Sequence, residues 1–489
     1  MSKKGLLVIV RSDYFKLTLI LVLAGYIAFI PHSNYLYPIH IDEWVHLAFS
    51  RAMMDAGSLT FANPFSSGAA VPFSPGLEAG FHLFWGVFQQ ISGLSWMTVY
   101  RFFPGIIFMI TVLCAYVLGK RGGYGWEAAF FTCLIPTTIG ILGPAFLVPV
   151  ALGLVFILLA LFLALHVHTG AAYLALFIFI CFLLAMHAPE AVGIVLILIP
   201  YFLLNIKRNW RETAGLAFSL LLPFFVIFPW ISSMLWPTFK SLFVKQTLPN
   251  YIDWPQVIGS YGIIPAVCCA VGIYLLLHKI ERKGYALVFG FASLLIMLMV
   301  YMQLHYGVGI MYDRGLMYTM LLMSIIAGYG LWELQRLEIT KLPLVKKAES
   351  GKILNFITRY AGNILAIILI VITLTIAIPE RRQEPYYHMI DATDYEAFNW
   401  INDNVSQQYN TAVLDPWKAT AFTALTGKGV YSRIHSYPVD SDREAYQFLN
   451  DGCTDTEFLR ENGVTLVYTT GKCENPDLEK IAKDIYLLK

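Results

Sequence analysis

The sequence predicts an all-α polytopic membrane protein with about eleven transmembrane helices and a small α/β domain at its C-terminal end. Three observations predict it. The 489 residues are 57% hydrophobic and 15% aromatic but only 13% charged, with a mean hydropathy of +0.62. A soluble domain carries about 25% charge, so roughly half of the usual polar surface is missing. Apolar runs long enough to cross about 30 Å of hydrocarbon follow one another from Leu17 to Ile378. Beyond residue 380 the pattern becomes mixed and soluble, with turn signals at Asn402-Asp403-Asn404 and Asp451-Gly452.

The first run, Leu17 to Pro31, is too long for a removable signal and lacks a small-residue cleavage site after it, so it reads as a retained anchor. Orientation follows from the Lys/Arg clusters: Lys3, Lys4, Arg11 and Lys16; Lys120 and Arg121; Lys207, Arg208 and Arg211; Lys279, Arg282 and Lys283; Lys341, Lys346, Lys347 and Lys352. Each is expected on the cytoplasmic side. Spans near 126–142, 148–168, 170–187 and 190–206 separate Arg121 from Lys207, an even number, as the rule requires. The N-terminus is then inside. Three segments lie outside: a first loop 32–98, a loop from about Leu235 to Gln256, and the tail. The expected domains are a transmembrane domain 1–379 and an extracytoplasmic domain 380–489. Leu77 to Ile91, interrupted by Glu78, His82, Gln89 and Gln90, reads as a helix lying in the interface, because a span there would invert every later cluster. In the tail, Thr411 to Leu414 and Val464 to Tyr468 read as strands and Tyr395 to Asn402 as a helix.

The stretch richest in chemistry is residues 40–57, HIDEWVHLAFSRAMMDAG, directly after the first span. Asp42 and His46 lie four apart and share one face of a helix that begins near Asp42, with Glu43 beside it. Paired carboxylates there can activate a hydroxyl or hold a divalent cation. The same residues also fit an Asp N-cap with Glu in the first turn. His187 and Glu190, in MHAPEAV, fall at an outer turn between two spans, where ionisable groups mark either function or a wet interface. Arg314 opens a span at its outer end. Its fork suits a phosphate, though it also fits snorkelling or a local pair with Asp313. Lys240, Lys245 and Arg101 are weaker phosphate candidates of the same kind.

An Asp-Glu pair just beyond the first span, then His46, Arg51 and a small-residue turn, resembles the first-loop motif of the GT-C membrane glycosyltransferases, among them the protein O-mannosyltransferases and lipid A aminoarabinose transferases. That resemblance implies Asp42 as catalytic base. Residues 74–166, with SPGLEAGFHLFWGVFQQISGLSWMTVYRFFPGI, a KRGG turn and GWEAAFFTCLIPTTIGILGP, resemble the layout of the oligosaccharyltransferase catalytic subunit. Where that family carries acidic metal ligands in the second outer loop, this chain reads Gly143-Pro144-Ala145-Phe146, so no metal ligands are assigned and a divalent cation is left open. The tail is similar to the periplasmic domain of such proteins but has Asp415-Pro416-Trp417 near the place of the Trp-Trp-Asp-Tyr-Gly sequence, which disfavours peptide N-glycosylation.

A net charge of +2 argues against a nucleic-acid partner. The seven cysteines show no CxxC spacing, and Cys453 and Cys473 are the pair that an oxidising compartment would join. A Gly-rich phosphate loop, HExxH and GxSxG are all missing, as is a cytoplasmic DxD. The expected protein is an inverting glycosyltransferase of the cell envelope. It moves a sugar from a polyprenyl-phosphate donor to a glycan, lipid or protein acceptor at the outer face, among membrane lipids. Asp42 is the base, Glu43 its electrostatic partner and Arg314 the phosphate contact, with His46, His187, Glu190, Lys240 and Lys245 around the substrates. The rivals are a lipid or lipid-linked-glycan transporter or flippase, for which an internal repeat is expected and none is seen, and a non-catalytic GT-C scaffold of envelope assembly.

Overall fold

The computed structural model describes residues 12–66, 72–74, 76–136, 143, 146–246, 259, 261–279, 281–337, 352–383, 388–434 and 438–489. Two compact units share the chain. One comprises residues 1–31 and 102–385, the other 32–101 and 386–489.

In chain order, α1 is Asp13–Phe29, α2 Ile41–Ala56, α3 Ala79–Ser92, α4 Trp96–Lys120 and α5 Gly125–Thr132. Then come α6 Pro149–His166, α7 Gly170–Met186, α8 Ala188–Asn205, α9 Trp210–Ser241 and α10 Ile263–His278. The last long helices are α11 Arg282–Met299, α12 Gly309–Gln335 and α13 Lys352–Gln383. Among the described residues eight helices are long and apolar enough to cross a membrane, and α7 and α10 are apolar but shorter. That makes ten apolar helices against about eleven expected, in a multi-pass integral membrane protein.

The membrane unit is built around α12, which packs against α10, α5, α11 and α13 and is almost wholly buried, whereas α13 is mostly exposed. Lipid offers no hydrophobic drive between helices, so close approach of backbones through small residues holds them together. A Cβ on Gly330 would lie 2.1 Å from the Cys268 carbonyl oxygen, and one on Gly328 only 2.5 Å from the Ala128 nitrogen. Larger residues there would force α10 and α5 off α12. The expected span near 126–142 is a short helix ending at Thr132, four residues before Pro136, which has no N–H to continue it. The carbonyls freed at that end are satisfied by side chains: Tyr261 Oη donates to Phe131 O at 2.9 Å and buried Arg381 donates to Leu134 O at 2.8 Å. Residues 137–142 lie outside the described residues, as do Pro144, Ala145, residues 247–256 of the expected 235–256 loop and the Lys/Arg positions 3, 4, 11, 341, 346 and 347. Two boundaries move: α9 continues to Ser241, beyond the expected loop start at Leu235, and α13 continues through Pro379 to Gln383.

Three of the Lys/Arg clusters share one end of this unit. Lys120 Nζ donates to Tyr14 Oη at 3.1 Å, Lys16 lies over the Trp126 ring at 4.6 Å, and Arg121, Lys279 and Lys283 line one cavity. Arg282 donates to Asn205 Oδ1, two residues before Lys207.

In the second unit α3 is 14 residues long, buries Phe81, His82 and Trp85, and exposes Leu83, Phe84, Val87 and Ile91. A short helix with an apolar outer face is what the interface reading of 77–91 requires. Beyond β1 (Phe61–Ala62) and β2 (Pro72–Phe73), the tail holds α14 Ala392–Asn404, α15 Ala419–Thr426, α16 Asp440–Asn450 and α17 Thr456–Glu461. Its strands are β3 Thr411–Val413, β4 Gly429–Val430, β5 Leu466–Tyr468, β6 Leu478–Ala482 and β7 Ile485–Leu488. They form one sheet in the order β4-β3-β5-β7-β6, parallel across β4-β3-β5 and antiparallel beyond. Its core gathers Val413, Phe448, Leu459, Val467 and Tyr486. Cys453 and Cys473 are both free thiols.

Candidate active site

The start of α2 is set by its cap. His40, not Asp42, is the N-cap residue: its Nδ1 accepts from the Asp42 N–H at 3.2 Å. Glu43 completes a capping box, its Oε2 accepting from the N–H groups of Ile39 at 2.8 Å and His40 at 3.2 Å. Glu43 is fully buried and that oxygen is spent on backbone. Asp42, one position earlier, keeps its side chain 19% exposed, with Oδ2 3.8 Å from His40 Nδ1. The alternative reading of Asp42 as the N-cap is therefore not borne out, since His40 holds that position.

Arg433 interacts electrostatically with Asp42, a pairing that was not legible in the sequence. It is half-buried over the Phe65 ring at 3.9 Å. Burial pulls its guanidinium below its usual range, and the Asp42 carboxylate opposes that shift. Arg51, two turns on from Asp42, donates to the Ala424 and Leu425 carbonyl oxygens at 2.6 and 3.0 Å. Those carbonyls close α15, where the helix dipole favours a cation. Arg51 thus ties the loop helix to the tail domain. Asp415 is likewise structural, accepting from Trp417 N–H at 3.0 Å and Tyr446 Oη at 2.8 Å.

His46 is buried, with Nδ1 3.0 Å from Nε2 of buried His82, and Glu78 stands close enough that one ligand atom from each of the three lies within 4.8 Å of the others. Burial lowers the His82 pKa to about 3, so this imidazole is neutral. The sequence held a signal for this cluster: Glu78 and His82 are four apart at the start of α3, on one face.

In the membrane unit His187 joins α7 to α8 and Glu190 stands in the first turn of α8. Both are buried and hydrogen-bonded through Nδ1 and Oε2, rather than solvated at a wet turn. Room for the carboxylate comes from Gly153 of α6, where a Cβ would lie 2.3 Å from Glu190 Cγ. Glu190 Oε1 and the Tyr318 hydroxyl are both buried, and the Glu190 carboxylate is the polar group that the Tyr318 hydroxyl interacts with. Tyr318 lies in the electrostatic field of both Glu190 and Arg314. Arg314, four residues before it on α12, is half-buried, and its Nε has no hydrogen-bond partner among the described residues. The structure therefore gathers His187, Glu190 and Arg314 around Tyr318. It leaves Lys240 exposed over Trp236 at 5.6 Å and Lys245 exposed.

The fold matches those of solved oligosaccharyltransferase and arabinofuranosyltransferase structures. A crystal structure of the oligosaccharyltransferase of Archaeoglobus fulgidus in the apo form matches with a TM-score of 0.58 at 10% identity, over 94% of this chain and 70% of that one. The same organism's AglB, in complex with an inhibitory peptide and a dolichol-phosphate, matches at 0.56 and 11% identity, over 92% and 69%. The mycobacterial arabinofuranosyltransferase AftD matches at 0.56 and 15%, over 95% of this chain but 37% of its own. No protein-family model matches the chain, and no curated protein matches it in sequence.

Proposed function

We propose that this protein is an integral-membrane glycosyltransferase that takes a sugar from a polyprenyl-phosphate carrier and transfers it, with inversion, to an acceptor at the outer face of the membrane. The observation that carries the reading is a GT-C fold over 94% of the chain whose first helix after the first span holds a partly exposed aspartate in its first turn. The Lys/Arg clusters support an N-terminus inside and residues 380–489 outside. Residues 1–379 form the transmembrane domain in this reading.

Asp42 accepts the proton of the acceptor hydroxyl as that oxygen attacks the anomeric carbon. The bond from that carbon to the phosphate oxygen breaks, and the electron pair leaves with the polyprenyl phosphate. A phosphate is a stable anion once paired with a guanidinium, so little acid assistance is needed. Arg314 supplies that pairing, and its unused Nε keeps the fork available for a second oxygen. Glu43 acts through the capping box that fixes where Asp42 stands. Arg433 counters the Asp42 charge between turnovers. His187, Glu190 and Tyr318 line the donor side.

The test is transfer in proteoliposomes from a synthetic polyprenyl-phosphate sugar, read as lipid phosphate released. The Asp42→Asn variant keeps the shape and loses the proton acceptor, so transfer should fall by about 100-fold to 10,000-fold with donor binding retained. Wild-type turnover in that variant would remove Asp42 as base. Carrier movement across the bilayer without sugar release would replace the enzyme with a flippase.

A further inference from the structure

In the second unit two helices bring together three donors, of which the transfer reading gives a part only to His46. Glu78 closes a 3-10 turn at the start of α3, and His82 follows on the same face. His46 comes from α2, one turn beyond Asp42. The rings of Phe81 and Phe49 enclose the two imidazoles, with centroids 5.1 Å from His46 and 5.4 Å from His82. Burying polar groups in such a setting is costly unless they are bonded. His46 Nδ1 and His82 Nε2 face each other at 3.0 Å, and a Glu78 carboxylate oxygen lies within 4.8 Å of a nitrogen of each ring.

We propose that His46, Glu78 and His82 form a zinc(II) site that joins α2 to α3. Two imidazoles and a carboxylate are a zinc donor set, whereas magnesium and calcium take oxygen ligands. Two nitrogens bound to one tetrahedral zinc at about 2.0–2.1 Å stand about 3.3 Å apart. The 3.0 Å separation has to open by only a few tenths of an ångström to admit the ion. Three protein ligands leave one position for a water or another small oxygen ligand. Zinc at this site would hold in place the helix that carries Asp42 in its first turn. Its occupancy is readable without substrate, so the site stands or falls separately from glycosyl transfer.

The test uses tag-free full-length protein in detergent, stripped with a chelator and dialysed against limiting zinc in excess magnesium. One equivalent of zinc per chain is expected, falling below a tenth in His46→Ala and in His82→Ala and bound more weakly in Glu78→Gln. X-ray absorption of the zinc-loaded wild type should give a first shell of two imidazole nitrogens with oxygen and no sulfur, a result that needs no variant to fold. Full zinc stoichiometry in both alanine variants, a sulfur-containing shell, or a wild type that takes up no zinc would each overturn the site. Loss of transfer with zinc retained in Asp42→Asn would leave it standing.

Discussion

Two helix starts in this molecule carry the same spacing, His-x-x-Glu, and use it in opposite ways. At α2, His40 and Glu43 form a reciprocal capping box: the imidazole accepts from the N–H two residues on, and the carboxylate accepts from the N–H of the cap itself. At α8 both halves of that exchange are blocked. The residue two after His187 is Pro189, which has no N–H, and the His187 N–H is already given to the Leu183 carbonyl at 2.6 Å. With no backbone donor to serve, His187 and Glu190 bond to each other, and the Glu190 carboxylate also interacts with the Tyr318 hydroxyl. A glutamate at the third position of a helix is thus a fastener in one region and a candidate ligand group in the other. What separates them is the supply of backbone N–H groups, not the side chains.

The largest expected effect lies at α8. Replacing Glu190 by Ala leaves a buried histidine without its partner, and truncating one member of a buried pair costs about 3–5 kcal/mol. Thermal unfolding in detergent measures it, and a loss no greater than that of Glu43→Ala would erase the contrast. Next comes Arg314. Arg314→Ala should weaken binding of a polyprenyl-phosphate sugar by about 1.5–3 kcal/mol, and Arg314→Lys by a smaller but clear margin, because lysine offers a point charge without the fork. Wild-type affinity in Arg314→Ala, titrated in nanodiscs, would move the phosphate to Lys240 or Lys245. At α2 the cost is smaller: Glu43→Ala should lose about 1 kcal/mol of stability, and Glu43→Gln almost nothing, since glutamine serves in a capping box equally well. Loss of transfer in a stable Glu43→Gln would instead make Glu43 an electrostatic partner of Asp42. The smallest effect is expected from Pro189→Ala, below about 1 kcal/mol. It restores the N–H that His187 lacks, so nitrogen-15 shifts of the ring should report a new acceptor role for Nδ1.

Much of the architecture was legible because it rests on local composition. The apolar runs became helices close to where they were expected: 148–168 is α6 at Pro149–His166, and 190–206 is α8 at Ala188–Asn205. The tail strands and the helix at 395–402 fell in place within a few residues. The misread stretches have local causes that compete with hydropathy. Pro136 follows the short α5, and α9 carries its helical hydrogen bonding past Leu235. Among the site residues, spacing alone placed Asp42, Glu43 and His46 on one helix and Glu190 beside His187. It could not say that Glu43 is consumed by a cap, nor that the Asp42 charge meets Arg433.

By itself, then, the sequence determined that the chain crosses a membrane many times, roughly where each helix lies, and that a soluble domain follows. Hydrocarbon thickness sets the length of an apolar run, and a lipid-exposed backbone must satisfy its own hydrogen bonds within that run. Only the tertiary structure decided which polar residues keep a free valence. That depends on neighbours remote in the chain: Gly153 giving space to Glu190, Tyr318 standing over it, His82 reaching His46 from the next helix. Whether a buried polar atom is satisfied is a property of its surroundings in space, and the one-dimensional pattern does not carry it.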